Sequence, residues 1–419
     1  MSKAQHNKVI VVGGGAAGLL AAIVAARNGA RVTILERNQR VGKKILATGN
    51  GRCNLTNIDM NISHFHGTNP KFALTALHRF DNYHSIDFFE RLGIAHKIEE
   101  RGKVFPRSNQ ASSVLDVLRY ELEELGVTTL VEAEVKDIQR SKNGFQLMVK
   151  GGESHLAQAV ILATGGKAAP HLGCTGSGYQ LAEKLGHRII EPFPSLVQLK
   201  LAAPFLKQIK GIKFDGDAEV IVKNKVIARA SGEILFTEYG ISGPPIFDLS
   251  RYAGYWLQQG QRVWLKVSII THLAPEELAA YIQQRFDYNP QKTLAFSFVG
   301  MINKQLVPVL LKEAAVDVNK KVADVTAQER NRIVEILQDW RFEVTGSNTW
   351  TAAQVTAGGV DVKDVNPATM ESRLVPGLFF AGEILDIDGD CGGYNLQWAW
   401  SSGYLAGLYA AAYVSRGNK

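Results

Sequence analysis

The sequence predicts an α/β chain in which one nucleotide-binding sheet is begun by residues 1–193 and completed by residues 350–419, around a β-rich and a helical insertion. Three observations carry that expectation. Residues 9–36 read as an apolar strand, a glycine turn, a small-residue helix and a second strand ending in Glu36. Around Pro192-Phe193-Pro194 long apolar runs give way to short alternating ones. Near the end, Gly377-Leu378-Phe379-Phe380-Ala381-Gly382 restores a continuous apolar run and a turn, as a parallel strand buried on both faces requires.

The turn Gly13-Gly14-Gly15-Ala16-Ala17-Gly18 has glycines at the first, third and sixth places. Gly13 serves the tight turn, Gly15 the close approach of a pyrophosphate, and Gly18 the packing of helix on strand. The helix that opens here, with Ala17 in its first turn, aims unpaired N–H groups and its positive dipole end at that pyrophosphate. Glu36, followed by Arg37, closes the strand of residues 31–35 about twenty residues on, where a carboxylate bonds ribose hydroxyls. A dinucleotide is therefore expected. Nicotinamide and flavin dinucleotides both fit this fingerprint.

The chain of 419 residues exceeds one simple core, and two or three domains are expected. Hydrophobic content of 46% and charged content of 21% fit a soluble globular protein and argue against disorder. Lys and Arg number 47 against 40 Asp and Glu, a net charge of +7 that permits an anionic partner without requiring one. Polar residues precede the first strand and no signal-peptide pattern is visible. Glycines and charges interrupt residues 9–35, which argues against a membrane span. Cys53, Cys174 and Cys391 form no CxxC, so a reducing, cytoplasmic setting is expected.

After Glu36, residues 38–51 form a loop carrying Lys43 and Lys44, with Arg52 just beyond it. Helical periodicity follows over 70–80, 83–92 and 112–125, the last opened by Ser112 as N-cap. Residues 127–139, 144–149 and 157–163 read as strands, with turns at Lys142-Asn143-Gly144 and Gly151-Gly152, and suit an antiparallel meander returning to the parallel sheet. Residues 194–269 with 340–349 are assigned to a barrel-like domain, with strands expected over 218–222, 225–230 and 263–269. Residues 270–339 are assigned to a helical subdomain with helices over 276–286, 302–311 and 327–338. The chain closes in a helix over 395–414, interrupted by Gly403 and Gly407.

Two segments separate flavin from nicotinamide. One is the meander ending in Ile161-Leu162-Ala163-Thr164-Gly165. The other is Phe379-Phe380-Ala381-Gly382-Glu383 followed by Asp388-Gly389-Asp390-Cys391-Gly392-Gly393-Tyr394-Asn395-Leu396-Gln397. The arrangement resembles the glutathione-reductase-type FAD domain, a Rossmann-like domain that the chain leaves after the ATG strand and rejoins at its end. That resemblance implies Glu383 at the ribityl chain, where many such proteins carry Asp. It also implies N–H groups of Tyr394, Asn395 and Leu396 at the ring edge, where a helix N-terminus stabilises the negative charge of reduced flavin.

More narrowly, the chain resembles the BaiN/RdsA (YhiN-like) family of NAD(P)/FAD-dependent oxidoreductases. The resemblance rests on Gly49-Asn50-Gly51-Arg52-Cys53-Asn54-Leu55-Thr56-Asn57, Val104-Phe105-Pro106, Leu235-Phe236-Thr237, Gly240-Ile241-Ser242-Gly243-Pro244, Thr369-Met370-Glu371-Ser372 and Gly392-Gly393-Tyr394-Asn395-Leu396-Gln397. It covers essentially the whole chain. It implies an FAD domain in two sequence segments, an inserted β-barrel and a helical subdomain. Gly13, Gly15, Ala17, Gly18 and Glu36 are then expected to hold the ADP half of FAD, with Arg37 beside a ribose that bears no 2′-phosphate. Lys44, Arg52 and Asn54 are expected near the pyrophosphate or flavin, and the Val135 backbone at the adenine. Ala163, Thr164 and Gly165 line the cofactor in this reading, with Gly382, Glu383, Gly393, Tyr394, Asn395 and Leu396 at the ribityl chain and ring.

The remaining candidates have plainer readings. Cys53 reads as a small buried filler. His64, His66, His78, His84 and His96 follow no ligand spacing, so solvated histidines and no metal site are expected. Gly173-Cys174-Thr175-Gly176-Ser177-Gly178 reads as a helix lead-in rather than a second nucleotide loop. Lys207, Lys210, Lys213, Lys223 and Lys225 make the insertion basic, either as a solvated face or as an RNA contact. The family implies NAD(P)H as electron donor and three kinds of substrate: uracil in ribosomal RNA, steroid-like enones, and small amines oxidised with oxygen. A flavoprotein with a purely structural cofactor is the reading outside catalysis. Tyr394 and Cys391 are the candidate proton donors.

Overall fold

In a computed structural model describing residues 7–141 and 144–416, one compact unit runs to Phe193 and resumes at Gln354, and the other is Pro194–Ala353. Of the turn expected at Lys142-Asn143-Gly144, the first two residues lie outside the described ones.

The first unit is built on a five-stranded sheet in the order Leu378–Phe380, Ala159–Leu162, Lys8–Val12, Arg31–Leu35, Thr128–Leu130. Every pairing in it is parallel, with Val11 opposite both Ile161 and Ile34. Burial on both faces explains the uninterrupted apolar runs: Ile10, Val11, Ile161 and Phe379 are fully buried. The chain's last strand thus pairs with the strand ending at Leu162, so the fold-class expectation of a sheet made from two sequence segments holds. The antiparallel meander is Val135–Ser141, Gly144–Val149 and Ser154–Ala157, with Phe145, Leu147 and Val149 turned inward.

Two helix readings need correction here. The helix Ala111–Glu124 is entered from extended Gln110 with no side-chain cap, so Ser112 lies in its first turn and is not the N-cap. Gly403 and Gly407 do not interrupt the final helix, which is continuous over Tyr394–Arg416. A Cβ on Gly403 would stand 2.5 Å from the Ala17 carbonyl oxygen, and Gly407 faces the Ala21 backbone in the same way. These glycines let the last helix touch the backbone of the first, Ala16–Arg27.

The second unit contains a closed antiparallel barrel in the order Leu199–Leu201, Gly240–Ser242, Lys225–Phe236, Lys213–Val222, Val263–Ser268, Trp340–Ser347. Alternate residues such as Ala218, Val220, Leu265, Val267, Phe342 and Val344 fill its core. The sequence reading missed the helix Pro244–Gln258. Its signals were present: prolines in the first turn and Ile246, Leu249 and Ala253 at helical spacing. Among the helices Pro275–Tyr288, Leu294–Ser297, Val307–Glu313 and Ala327–Gln338, the third begins at Val307 rather than at residue 302. Pro308 lies in its first turn, where its missing N–H costs nothing.

Candidate functional site

The site is assembled at the carboxyl ends of three neighbouring parallel strands, Lys8–Val12, Ala159–Leu162 and Leu378–Phe380. That edge is where open α/β sheets bind ligands. Each strand ends in a tight turn, and the three turns meet. Gly13 has φ +104°, and a Cβ on it would lie 2.5 Å from the Ala163 carbonyl oxygen. A Cβ on Gly382 would lie 2.7 Å from the Ala17 Cβ. Ala163 and Thr164 therefore flank the first glycine turn on one side and Gly382 closes it on the other, while Gly165 lies against Cys174 and Glu383.

The glycines of the first turn do different work. Gly18 abuts the Gly13 carbonyl, so it serves internal packing, whereas a Cβ on Gly15 would meet nothing within 4 Å. Gly15 is the N-cap of the helix Ala16–Arg27, which carries no side-chain cap and no acid in its first turn. An open approach to uncapped N–H groups suits a phosphate.

Glu36 is buried, and its carboxylate is gripped by backbone and side chain. Oε2 accepts from the Gly14 N–H at 2.8 Å, and Oε1 accepts from the Asn38 N–H at 2.8 Å and its Nδ2 at 2.7 Å. The Ala133 N–H donates to the Glu36 carbonyl, which brings Val135 close to the same strand end. Arg37 pairs with Glu134 at 3.3 Å and bonds the Thr175 hydroxyl. The segment holding Thr175 leads into the helix Ser177–Lys184 and follows a 3-10 turn, not a strand, as expected for a helix lead-in.

Lys44 places Nζ 2.7 Å from Glu383 Oε2, and Glu383 Oε1 accepts the Thr356 N–H at 2.8 Å. Burial pulls the Lys44 ammonium down, but the Glu383 carboxylate beside it outweighs that and holds it above the ordinary lysine value. Arg52 turns to Glu99, with Nη1 at 3.0 and 3.1 Å from the two carboxylate oxygens, and its guanidinium stacks 4.0 Å from the centre of Phe105. Lys44 and Arg52 are therefore both charge-paired.

Asn54 Oδ1 is buried with no hydrogen-bond partner among the described residues, and the Tyr179 hydroxyl is another such atom. A Cβ on Gly393 would lie 2.5 Å from the Thr56 carbonyl and 3.1 Å from Asn54 Oδ1, so the start of the last helix rests on the segment after Arg52. The Asn395 side chain bonds the Gly389 N–H and carbonyl at 2.8 and 2.7 Å and thereby folds the loop 389–394. Leu396 is partly buried against the core. An orphaned acceptor and an open Gly15 face at an uncapped helix start together fit an extended dinucleotide.

Cys53 is buried, and burial pushes its thiol up to about 12, so it is no thiolate. Cys174 is also buried, Cys391 is partly exposed, and no disulfide joins the described cysteines. Tyr394 is only 5% exposed and stacks face to face on His64, with ring centroids 4.3 Å apart and planes at 15°.

The reading of His64 and His66 as solvated is wrong. His64 Nδ1 is 2.9 Å from Asp390 Oδ2, and His66 Nε2 is 2.6 Å from Asp390 Oδ1. The strand Phe65–His66 pairs antiparallel with Asp388–Gly389, which brings distant residues onto one carboxylate. Sequence spacing carries no trace of that pairing. His84 and His96 do lie in exposed pairs with Asp81 and Glu90. Among the described residues no group of three or more His, Cys, Asp or Glu could hold a metal ion, and no helix is long and apolar enough to cross a membrane. In the second unit, Lys210 and Lys213 are paired with Glu238 and Glu233.

The HI0933-like protein Rossmann domain family matches residues 7–409. The chain is 39% identical over 407 residues to the 3-dehydro-bile acid delta(4,6)-reductase of Clostridium scindens, covering 97% of this chain and 99% of that protein. It is 33% identical over 411 residues to the ribosomal RNA dihydrouridine synthase of Haemophilus influenzae, covering 97% and 98%. The ribosomal RNA dihydrouridine synthase of Escherichia coli is 33% identical over 397 residues, covering 94% and 96%.

Proposed function

This chain belongs to the HI0933-like family of Rossmann-fold oxidoreductases, and on that premise we propose that it is an FAD-dependent reductase of carbon–carbon double bonds conjugated to a carbonyl. The observation that carries the proposal is the approach of the turn at Gly382, which Glu383 follows, to Ala17 of the first glycine turn at the carboxyl end of one parallel sheet. Bound FAD would supply a two-electron carrier for hydride passing from NAD(P)H to carbon. The residues of the chain do the rest. Glu36 would hold the ADP ribose, the turn Gly13–Gly18 and the N–H of Ala17 would hold the pyrophosphate, and the Val135 backbone would serve adenine. Lys44, Asn54, Thr164 and Glu383 would hold the middle of the cofactor, and the N–H groups of Tyr394 to Leu396 would hold the ring edge. There the helix N-terminus stabilises the negative charge of the reduced state.

The names of the relatives favour one reaction class over amine oxidation. A delta(4,6)-3-oxo acid and a uracil ring both offer a double bond conjugated to a carbonyl, so one hydride and one proton reduce either. We favour uracil in ribosomal RNA, supported by the net charge of +7. The 39% identity to the bile acid reductase and the glutamate pairing of Lys210 and Lys213 support an enone as the second reading.

Anaerobic stopped-flow tests the class: NADPH or NADH is expected to bleach the flavin rapidly, and bleaching by amines alone overturns the proposal. Mapping dihydrouridine in ribosomal RNA tests the substrate. Loss of one such site in a deletion strain, restored by the gene, is expected; an unchanged map transfers the assignment to enones.

A further inference from the structure

Resting on the reduction reading above, we propose that His64 delivers the proton of that reduction, with Asp390 and His66 as the residues that position it. Hydride transfer to a conjugated double bond leaves an enolate that needs one proton. Tyr394 and Cys391 are the donors suggested by sequence. Tyr394, however, is 5% exposed and spends its ring face on His64. The group it covers is better suited: an imidazole changes charge near neutral pH.

The geometry settles which nitrogen is engaged. Asp390 offers one oxygen to His64 Nδ1 at 2.9 Å and the other to His66 Nε2 at 2.6 Å. Burial works to raise the Asp390 carboxyl, but the hydrogen bonds and charges of His66 and His64 outweigh it and hold it below the usual carboxylate range. An ionised carboxylate only accepts, so both nitrogens facing it carry hydrogen. His64 Nε2 is then the atom that can lose a proton.

That nitrogen lies 3.4 Å from Asp59 Oδ2, whose side chain is 69% exposed. The titratable groups around His64 are thus Asp59 from the preceding segment, His66 from the strand that follows it, Asp390 from the loop and Tyr394 from the final helix. Backbone fixes the whole: the Asp390 N–H donates to the His64 carbonyl at 2.9 Å, and Asn395 grips Gly389. The cluster therefore sits at the start of the helix expected beneath the reduced ring.

In the step, the β carbon accepts hydride from reduced flavin and the π pair moves toward the carbonyl. The α carbon then forms a C–H bond as the His64 Nε2–H bond breaks. The double bond is reduced by two electrons and the flavin oxidised by two. Neutral His64 regains its proton from water at its exposed edge, and NAD(P)H restores the flavin.

The test uses the FAD-loaded full chain, reduced anaerobically with NADPH and mixed with cyclohex-2-enone or with ribosomal RNA from the deletion strain. Wild-type re-oxidation is expected to slow as pH rises through the imidazole range. His64→Gln is expected to slow it on the order of 10²–10⁴-fold relative to the bleaching step, to lose that pH limb and to be partly restored by free imidazole. Asp390→Asn is expected to move the limb to lower pH. In flavin-stripped protein, NMR titration of the His64 ring should move in the same direction in the same variant. If His64→Gln fails to fold, Asp390→Asn decides. Wild-type-like re-oxidation with an unmoved limb in His64→Gln, or an unmoved His64 titration in Asp390→Asn, overturns the assignment. A wild type that neither probe re-oxidises overturns the reduction reading itself, and the proton assignment with it.

Discussion

Lys44 Nζ lies 2.7 Å from Glu383 Oε2, tying the loop after the second parallel strand to the turn after the last one. The two side chains are 24% and 20% exposed, so the pair is shielded from water on most sides. Its geometry has consequences for both stability and cofactor retention.

Glu383→Gln keeps an acceptor for Thr356 but leaves the Lys44 charge unmatched. A loss of about 1–3 kcal/mol is expected, together with weaker FAD retention, read by denaturant unfolding and by flavin release. Because Lys44 titrates above its ordinary 10.5 in the folded chain, the stability it contributes is complete below that value. It is lost as pH rises through the higher folded value. The Gln variant should lack this alkaline dependence in unfolding curves taken across that range.

The glycines of the first turn should separate folding from binding. Gly15→Ala faces open space, so its melting temperature is expected to stay close to wild type while FAD binding fails. Gly18→Ala drives a methyl into the Gly13 carbonyl and should unfold the nucleotide domain. Circular dichroism with flavin absorbance distinguishes them.

Gly403→Ala is expected to cost about 1–3 kcal/mol, because overpacking at the Ala17 carbonyl forces two helices apart. Since Ala17 also touches the Gly382 turn, flavin affinity should fall with stability. Retained affinity at lowered stability would show that the helix contact and the site are uncoupled.

The helix Ala327–Gln338 offers an acid-side test. Thr326 and Glu329 form a capping box, and Lys320 lies 2.9 Å from Glu329. Backbone and side-chain bonds from Thr326 and Lys320 lower the Glu329 carboxyl from 4.5 to about 2. The stability it contributes is therefore present above 4.5 and lost as pH falls toward 2. Thr326→Ala should cost about 1 kcal/mol at neutral pH, and Glu329→Gln should flatten the acid limb of unfolding.

Much of the nucleotide half was legible in the chain. The glycine turn, Glu36 and the apolar strands announce themselves because backbone conformation and burial periodicity are local properties. The helix Pro244–Gln258 was legible too, but its short alternating neighbours masked it. Ser112 illustrates the limit of capping signals: a serine near a helix start caps only if the entry backbone places it there, and here Gln110 holds that position.

By itself, then, the sequence determined a dinucleotide turn, the return of the chain to its first sheet and the candidate residues along that edge. Only the tertiary structure decided what those residues do to one another. It set Glu383 on Lys44, Arg52 on Glu99, and Asp390 between His64 and His66. Asp390 is more than three hundred positions from both histidines. A charge pair or a shared proton depends on distances of a few ångströms in space, and no periodicity in the chain encodes a distance that strand pairing alone creates.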